Sequence, residues 1–559
     1  MREWLPPDHP VWTVIAIVGR LDTSAFHQRR RVGGVGRAGY DPDMLLALLI
    51  WAWSQGMRSS RRIERACSDV VSYRVICAGD APDHATIARF RADNHAACRQ
   101  LFTQVLMLAA GLGLGRLETV ALDGVKIASN ASLSANRSAS GLAKAAEAEA
   151  ARIAEKVASE HAATDAEEDA LYGPDNPELV PAELADPAAR AARIDDAIAR
   201  LNAQASAKPD DPDDHAGPPD DSDESTESVE SERVPRDRSA RIAQARARIG
   251  AEIAAERAER DKAVRKFLDR LAAGERVSGR PPAGTEVTLA QDRLAEAIAA
   301  YEAKLATRHR RGRRPVPVEQ YCRVRQAQAK LDKARATEAA RAAAEAAEAQ
   351  ADKRVTNITD PQSRMQPVRG GGWVQGYNCQ AVTTADGLIV ATGVGTSPVD
   401  NQYYRDLIEK AVTAAELITS HRGPDSSGQV ESIGIVLADA GYCTKDNLTA
   451  PGPDRLIAIG KSRDLHAAAI DNPAEGPPPD DSDPIAAMNH RLRTPEGMAT
   501  YAQRSHIAET PFGHAKHNLS FRRFTSRGLA WARSEWDFHA AVHNIGKIIT
   551  HLAAAPLPA

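Results

Sequence analysis

Residues 140–352 cannot build a globular core. The stretches "LAKAAEAEAARIAEKVASEHAA", "RIAQARARIGAEIAAERAERDKAVRKFLDRLAAG" and "QYCRVRQAQAKLDKARATEAARAAAEAAEAQADKR" are rich in Ala, Glu and Arg. Leu and Ile recur in them at helical spacing, enough for antiparallel coiled-coil packing and no more. Between them lies "KPDDPDDHAGPPDDSDESTESVESE", with 11 acids from Asp210 to Glu232 and no Lys or Arg. Low hydropathy with high charge predicts a disordered acidic linker over 208–233. On both sides the pattern returns to dense apolar positions, so the block reads as an insertion into a compact protein. Aromatics are only 4 % of the 559 residues, and alanine inflates the 43 % hydrophobic content. Part of the chain is therefore alanine-rich surface helix rather than packed core.

Several classes drop out. The longest apolar runs, "WTVIAIVG" and "LLALLIWAW", fall well short of the roughly 18–20 residues a membrane helix needs. The start "MREWLPPDHP" has no apolar signal core, so no membrane partner and a cytoplasmic location are expected. Six scattered cysteines form no CxxC pair, against a zinc ribbon or a disulfide scaffold.

The flanks differ from each other. Residues 1–115 read as helices: "DPDMLLALLIWAWSQGM", "SSRRIERACSDVVSYRVICAG" and "APDHATIARFRADNHAACRQLFTQVLMLAAGLGLG", the last capped by Asp83. Short helices with outward arginines suit a helix-turn-helix reader of DNA. Residues 116–139 begin an α/β domain that resumes over 353–559. "TVALDGVKI" alternates like a strand, "GWVQGYNCQAVTTADGLIVATGVGT" reads as a hairpin turning at "TADG", and "SIGIVLADAGYCT" is a strand running into Asp439.

Charge points to a polyanion. The acidic linker accounts for more than the whole net charge of -4, and the basic residues cluster at Arg29–Arg31 and Arg37, at Arg58, Arg61, Arg62 and Arg65, and at Arg308, Arg310, Arg311, Arg313 and Arg314. Clusters on separate segments suit a long anion contacted at several places, although any single cluster is also what a solvated helix face looks like.

Asp123 stands mid-strand with Gly124 behind it, and a buried carboxylate wants a turn, an arginine or a metal. Asp439 at a strand end and Glu509 on a late helix can converge with it, and three carboxylates can hold Mg²⁺. Asp360 and Arg364 in "TDPQSR" read as a turn ion pair or as neighbours of the metal. Asn378 and Gln380 read as sheet residues beside the site, and Trp51, Trp53, Trp531 and Trp536 as core.

These motifs carry a resemblance. "YDPDMLLALLIWAW", "GMRSSRRIERAC", "PDHATIARFR", "LDGVKIASNAS", "NITDPQSRMQ", "WVQGYNCQAV", "VLADAGYCT" and "AETPFGHAKHNLSFRRF" together resemble bacterial insertion-sequence transposases of the DDE type, of the insertion-sequence-four/five-like superfamily. The likeness covers roughly residues 20–135 and 353–550. It implies an α/β ribonuclease-H-like catalytic domain, an all-α N-terminal domain and a coiled-coil insertion. It implies a catalytic and metal-binding triad of Asp123, Asp439 and Glu509 with two Mg²⁺ ions, Mn²⁺ substituting. The implied partners are double-stranded DNA, as terminal inverted repeats and target, and a second copy in a homodimer on DNA. The location implied is the bacterial cytoplasm, with the nucleoid when active. Lys516 matches the family's lysine seven residues after the glutamate. Tyr501 and Arg504 keep the family's separation of three, but Arg504 lies five residues before Glu509 where four is usual. On a helix that puts it about 140° from Glu509, so Arg504 is either a DNA contact or a structural arginine. Pro511 and Gly513 predict a kink. Two other readings are a structure-selective nuclease without strand transfer and a DNA-binding protein with an inactive nuclease domain.

Overall fold

The structure, a computed structural model, describes residues 2–28, 39–172, 234–275, 281–307, 314–350, 354–368, 370–423, 429–480 and 482–554. The acidic stretch 208–233 and the arginines at 29–31, 37, 308, 310, 311 and 313 lie outside them.

The alternating segment after residue 116 forms strand β1 (Thr119–Ala128). The short strands β2 (Asn136–Ser138) and β3 (Val355–Asn357) pair antiparallel with each other, closing the chain across the insertion. β4 (Arg364–Pro367), β5 (Trp373–Thr384), β6 (Ile389–Gly395), β7 (Ile435–Ala438) and β8 (Asp454–Ile457) complete the set. The main sheet runs β6–β5–β1–β7–β8, with β4 pairing the start of β5. β6, β5 and β1 are antiparallel neighbours, whereas β1, β7 and β8 run parallel. The β5–β6 turn falls at "TADG", where Gly387 takes the left-handed φ of +87° that a tight hairpin needs.

Period-two alternation sends β1 residues to two faces. Val120 and Leu122 join a large apolar cluster, whereas Ala121 packs with Leu437, Leu456, Met488, Leu492, Ile507 and Ala508. Helices Pro484–Arg493 and Pro495–Gly513 cover that second face. Tyr404–Ser420 packs on the first face, Leu529–Ala554 lies beside Pro495–Gly513 through the Phe512–Trp536 stack, and one apolar cluster joins these to the N-terminal helices from Val11 to Ile548. Trp53 and Trp536 are fully buried in it, Trp51 is buried beside Ser72, and Trp531 is half-buried and stacks on His95 at 4.4 Å.

The insertion consists of long helices. Ala139–Tyr172 leaves the sheet and Arg238–Ala272 returns against it, with Arg238 and Arg152 both on the buried Glu149 and Leu142 packed among Ile242, Ala245 and Ile249. Glu286–Ala306 and Cys322–Gln350 pair antiparallel, as the Arg341–Glu286 ion pair and the Tyr301–Tyr321 stack at 4.0 Å require. Ile358 joins the Leu142 cluster at the base, and Arg248 donates to the Pro361 carbonyl. Arg364, expected to pair with Asp360, is instead bound by Glu252 of the insertion, while Asp360 accepts the Tyr377 hydroxyl at 2.9 Å. Asp360 is fully buried, and the Tyr377 hydroxyl is within bonding distance of both its oxygens. Among the described residues no helix is long and apolar enough to cross a membrane.

Candidate active site and nucleic-acid interface

Strand register brings the first two carboxylates together. In the parallel β1–β7 ladder Leu122 lies opposite Ala438, so the next residues, Asp123 and Asp439, emerge at one level where β7 ends. Each is fixed by a backbone N–H one or two residues further along the chain: Gly124 donates to Asp123 Oδ1 at 2.8 Å and Gly441 to Asp439 Oδ1 at 2.9 Å. Gly124 is required by a close approach, because a Cβ there would lie 2.4 Å from Nε2 of the Gln380 side chain crossing β1. That accounts for the Asp-Gly pair in an apolar strand.

Arg504 sits over both acids. Its Nη2 is 3.0 Å from Asp123 Oδ2 and 3.7 Å from Asp439 Oδ2, and the side chain is buried. Expected among the DNA contacts, it is turned toward the sheet, while Glu509 on the same helix is exposed. The five-residue spacing produces this split: one residue faces the strands and the other faces solvent. Thr494 caps the helix through the Gly497 N–H at 3.0 Å, and Tyr501 anchors it by donating to the Ala438 carbonyl at 3.2 Å. The helix does not break at Pro511. It continues to Gly513 and then widens into a π turn, His514–Asn518, which carries the half-buried Lys516.

Burial pushes the Asp123 carboxyl up to about 6, against the pull of Arg504 and the Gly124 N–H; the charges of Asp439 and Glu509 push it the same way as burial. An excess of negative charge is thus concentrated here. The three oxygens of Asp123, Asp439 and Glu509 are not gathered to single-ion distance, however. Among the described residues the one such trio within 4.8 Å is His27, Asp41 and Asp43. There His27 already bonds Asp43 at 2.9 Å and Asp41 caps a helix, so those groups are satisfied.

A fourth carboxylate was not legible in the sequence. Asp400 Oδ1 accepts from Lys126 Nζ at 2.9 Å, Asn378 Nδ2 at 2.6 Å and Gln380 Nε2 at 2.8 Å. Tyr442 and Trp536 close the network by donating to the Gln380 side chain and carbonyl. Asn378 and Gln380 are fully buried and hold the sheet, as their strand position suggested. Asp400 precedes a short helical turn and reads locally as an ordinary cap.

The basic residues separate into two kinds. Arg61, Arg62 and Arg65 are exposed along Ser60–Asp69 and carry no ion pair among the described residues. Arg314 is exposed as well. Arg58 is committed internally: it donates to the Arg523 carbonyl at 2.8 Å and the Ser520 carbonyl at 3.0 Å, and it lies 4.4 Å above the Phe521 ring. Arg58→Ala is therefore expected to lower stability by about 1.5–3 kcal/mol, since charged hydrogen bonds are lost. Joint replacement of Arg61, Arg62 and Arg65 by Ala is expected to leave stability unchanged and weaken duplex binding. Urea unfolding and salt-titrated binding of both variants check this; the opposite pattern would reverse the two assignments.

Two models of known families match parts of the chain. A family model described as Transposase domain (DUF772) matches residues 1–93, and one described as Transposase DDE domain matches residues 480–549. Both matches are consistent with an insertion-sequence DDE transposase. The first match contains Arg58, Arg61, Arg62 and Arg65, and the second contains Arg504, Glu509 and Lys516. Searches of curated proteins and of solved structures gave no match. Transposases act on DNA, and those of the DDE type generally use divalent metal ions. The first match falls on the helical N-terminus and the second on the last part of the α/β module, one before the insertion and one after it.

Proposed function

We propose that this chain moves its own insertion sequence by divalent-ion-dependent cleavage and strand transfer, with Asp123, Asp439 and Glu509 as the ligands. The observation that carries the reading is the Asp123–Asp439 pair at the end of a parallel ladder, neutralised by Arg504. The strand order β6–β5–β1–β7–β8, antiparallel then parallel, supports a ribonuclease-H-like domain split by the insertion, within the boundaries 116–139 and 353–559.

The donor set fits a hard cation. It offers oxygen only, its charge is in excess, and a guanidinium already occupies the position between two carboxylates where positive charge is favoured. Two bound Mg²⁺ ions, with Mn²⁺ as a substitute, would activate the attacking oxygen and stabilise the leaving one. The chain's own parts have separate tasks. The Gly124 and Gly441 N–H groups hold one oxygen of each aspartate and so orient the other. Arg504 offsets the paired charge when no ion is held. Glu509 projects from the adjoining helix turn toward the incoming DNA, and Lys516 takes a phosphate. Water is the first nucleophile and releases a 3′-OH at the element end. That hydroxyl then attacks a target phosphodiester, forming one bond as another breaks. The N-terminal helices, with Arg61, Arg62 and Arg65, bind the terminal inverted repeats. Arg310, Arg311, Arg313 and Arg314 add backbone contacts from the insertion, which serves dimerisation or clamping, because both element ends must be held together. The site of action is the bacterial nucleoid.

A plasmid carrying the coding sequence with its flanks tests this. Mg²⁺ is expected to produce cuts at the element ends and joined products in a second plasmid, and EDTA none. Cuts without joined products would leave a nuclease, and cleavage in EDTA would remove the metal.

The raised Asp123 carboxyl also sets a pH dependence. Between the ordinary value of 3.8 and about 6 the unfolded chain has lost this proton and the folded one keeps it, so metal-free stability falls as pH rises through that window and stays lower above it. Proton and ion compete for the same oxygens. The rise in thermal midpoint on adding Mg²⁺ is expected near neutral pH and should fade as pH drops below about 6. Asp123→Asn should remove most of that rise; an undiminished rise would place the ion elsewhere.

A further inference from the structure

A second anion site lies beyond the carboxylates, along the end of β1. Two adjoining hollows of about 590 and 390 Å³ share Ala128 and Val374 and so form one trough. Its cations are Lys516 and Arg522 on one part and Arg523 and Arg527 on the other, with Lys126 at the rim; neither lining contains Asp or Glu. Lys126 is already paired with Asp400. The other four make no ion pair among the described residues, although Arg522, Arg523 and Arg527 are exposed. Burial and the charge of Arg522 both depress the Lys516 ammonium. A cluster of like charges without counter-charge is held together here against repulsion.

The backbone makes that arrangement rigid. Phe521 and Phe524 are fully buried and turn the arginines between them outward. Ala128 N–H donates to the Arg522 carbonyl at 3.2 Å, and Phe524 N–H donates to the Ala128 carbonyl at 2.8 Å, so the segment 522–524 is laced to the end of β1. Glu535, on the helix that follows, is buried and consumed by the Thr525 and Ser526 N–H groups. Arg522 and Arg527 each rest their Nε on a carbonyl, of Lys516 and Asn130, which fixes the fork and leaves the terminal nitrogens. The amides of Asn130 and Gln375 in the wall donate within the protein, to the Thr525 carbonyl at 2.9 Å and the Ser363 hydroxyl at 2.8 Å, and stiffen it.

We propose that this trough seats the sugar–phosphate backbone of a DNA duplex on its way to the Asp123–Asp439 pair. Ala128 is five residues past Asp123, about 16 Å along a strand, which is on the order of five nucleotide steps of duplex. Guanidinium forks on carbonyls and backbone-laced arginines position phosphates and read no bases. The inference rests on the transposase reading and adds to it a site outside the triad. The duplex is either an element end or target DNA, which share this chemistry.

The test uses the full chain with Ca²⁺ in place of Mg²⁺. The combined variant Arg522→Gln, Arg523→Gln, Arg527→Gln is titrated with a labelled duplex from the DNA flanking the coding sequence. In a second arm a random duplex is offered to protein already holding the flanking one. Affinity at about 0.1 M salt should fall at least about tenfold, and the log–log salt slope should become shallower by about 2–3, at about 0.9 per phosphate. Loss in the first arm assigns the trough to the element end, and loss in the second to target DNA. Unchanged affinity and slope in both arms would overturn the proposal while leaving wild-type cleavage, and the transposase reading, intact. A wild type that binds no duplex would sink both. Should the triple variant unfold, Arg523→Glu serves alone, because that exposed side chain has no partner within the described residues. It must then weaken duplex binding at unchanged thermal midpoint.

Discussion

Asp123→Asn is expected to lower cleavage by about a thousandfold or more while duplex binding stays within a few fold. Several kcal/mol of transition-state charge stabilisation depend on an ion held by this carboxylate, and each 1.36 kcal/mol is about tenfold in rate. Binding depends on other groups: Arg61, Arg62 and Arg65 lie together on helix Ser60–Asp69, outside the sheet that carries the two aspartates. Asp439→Asn should behave alike, because the two acids share Arg504. The double variant should therefore cost little more than either single one, since residues that act as a unit are not additive. Single-turnover cleavage with binding measured in parallel decides this. A variant that cuts at near the wild-type rate would remove that aspartate from the site.

The largest stability effect is expected at Trp536. Its ring is 1 % exposed, stacks on Phe512 with centroids 6.2 Å apart, and lies 5.7 Å from Phe521. Trp536→Ala leaves a cavity where the closing helix, the acidic helix and β5 meet, at a cost of about 3–5 kcal/mol. It also removes the indole donor from the Gln380 carbonyl. Because Gln380 holds Asp400 and crosses Gly124, cleavage should fail at temperatures where the variant is still mostly folded. Urea and thermal unfolding measure the first effect and temperature-dependent cleavage the second. Trp373→Ala is the control: that ring is 57 % exposed, and its loss should shift stability by no more than about 0.5 kcal/mol. A loss below about 1 kcal/mol at Trp536 would mean the junction is not load sharing.

Elements with a strong local period were legible in the chain. "TVALDGVKI" alternates and is a strand, the "TADG" hairpin turns where the glycine demands it, and the Ala/Glu/Arg blocks are long antiparallel helices. Between β1 and β5, neighbours in one sheet, the chain runs through the Ala/Glu/Arg helices, whose composition already said that they bury too little to be a core. Two points of the candidate site were also open to local reading: an acid before glycine in a buried strand, and an acid at a strand end.

Other features carry no local signal. Arg58 resembled its neighbours Arg61, Arg62 and Arg65 and differs only because carbonyls of residues 520 and 523 come to meet it. Asp400 resembled a helix cap until β5 delivered Asn378 and Gln380 to it. The boundary placed near residue 115 marks a change of pattern, yet one apolar core runs across it from Val11 to Ile548. Periodicity reports which side of an element is buried, and it is silent on what lies against that side.

By itself, then, the amino-acid sequence determined the type and extent of the elements, the insertion and the pairing of acid with glycine, because propensity, period and turn chemistry act over a few residues. Only the tertiary structure decided that Asp123 and Asp439 share one level, that Arg504 covers them while Glu509 faces out, and that Arg522, Arg523 and Arg527 line a trough. Those outcomes depend on strand register and helix rotation, which are set by burial of distant side chains against each other. A shift of one residue in a strand would send the same side chains to opposite faces, and on a helix it would turn them by about 100°.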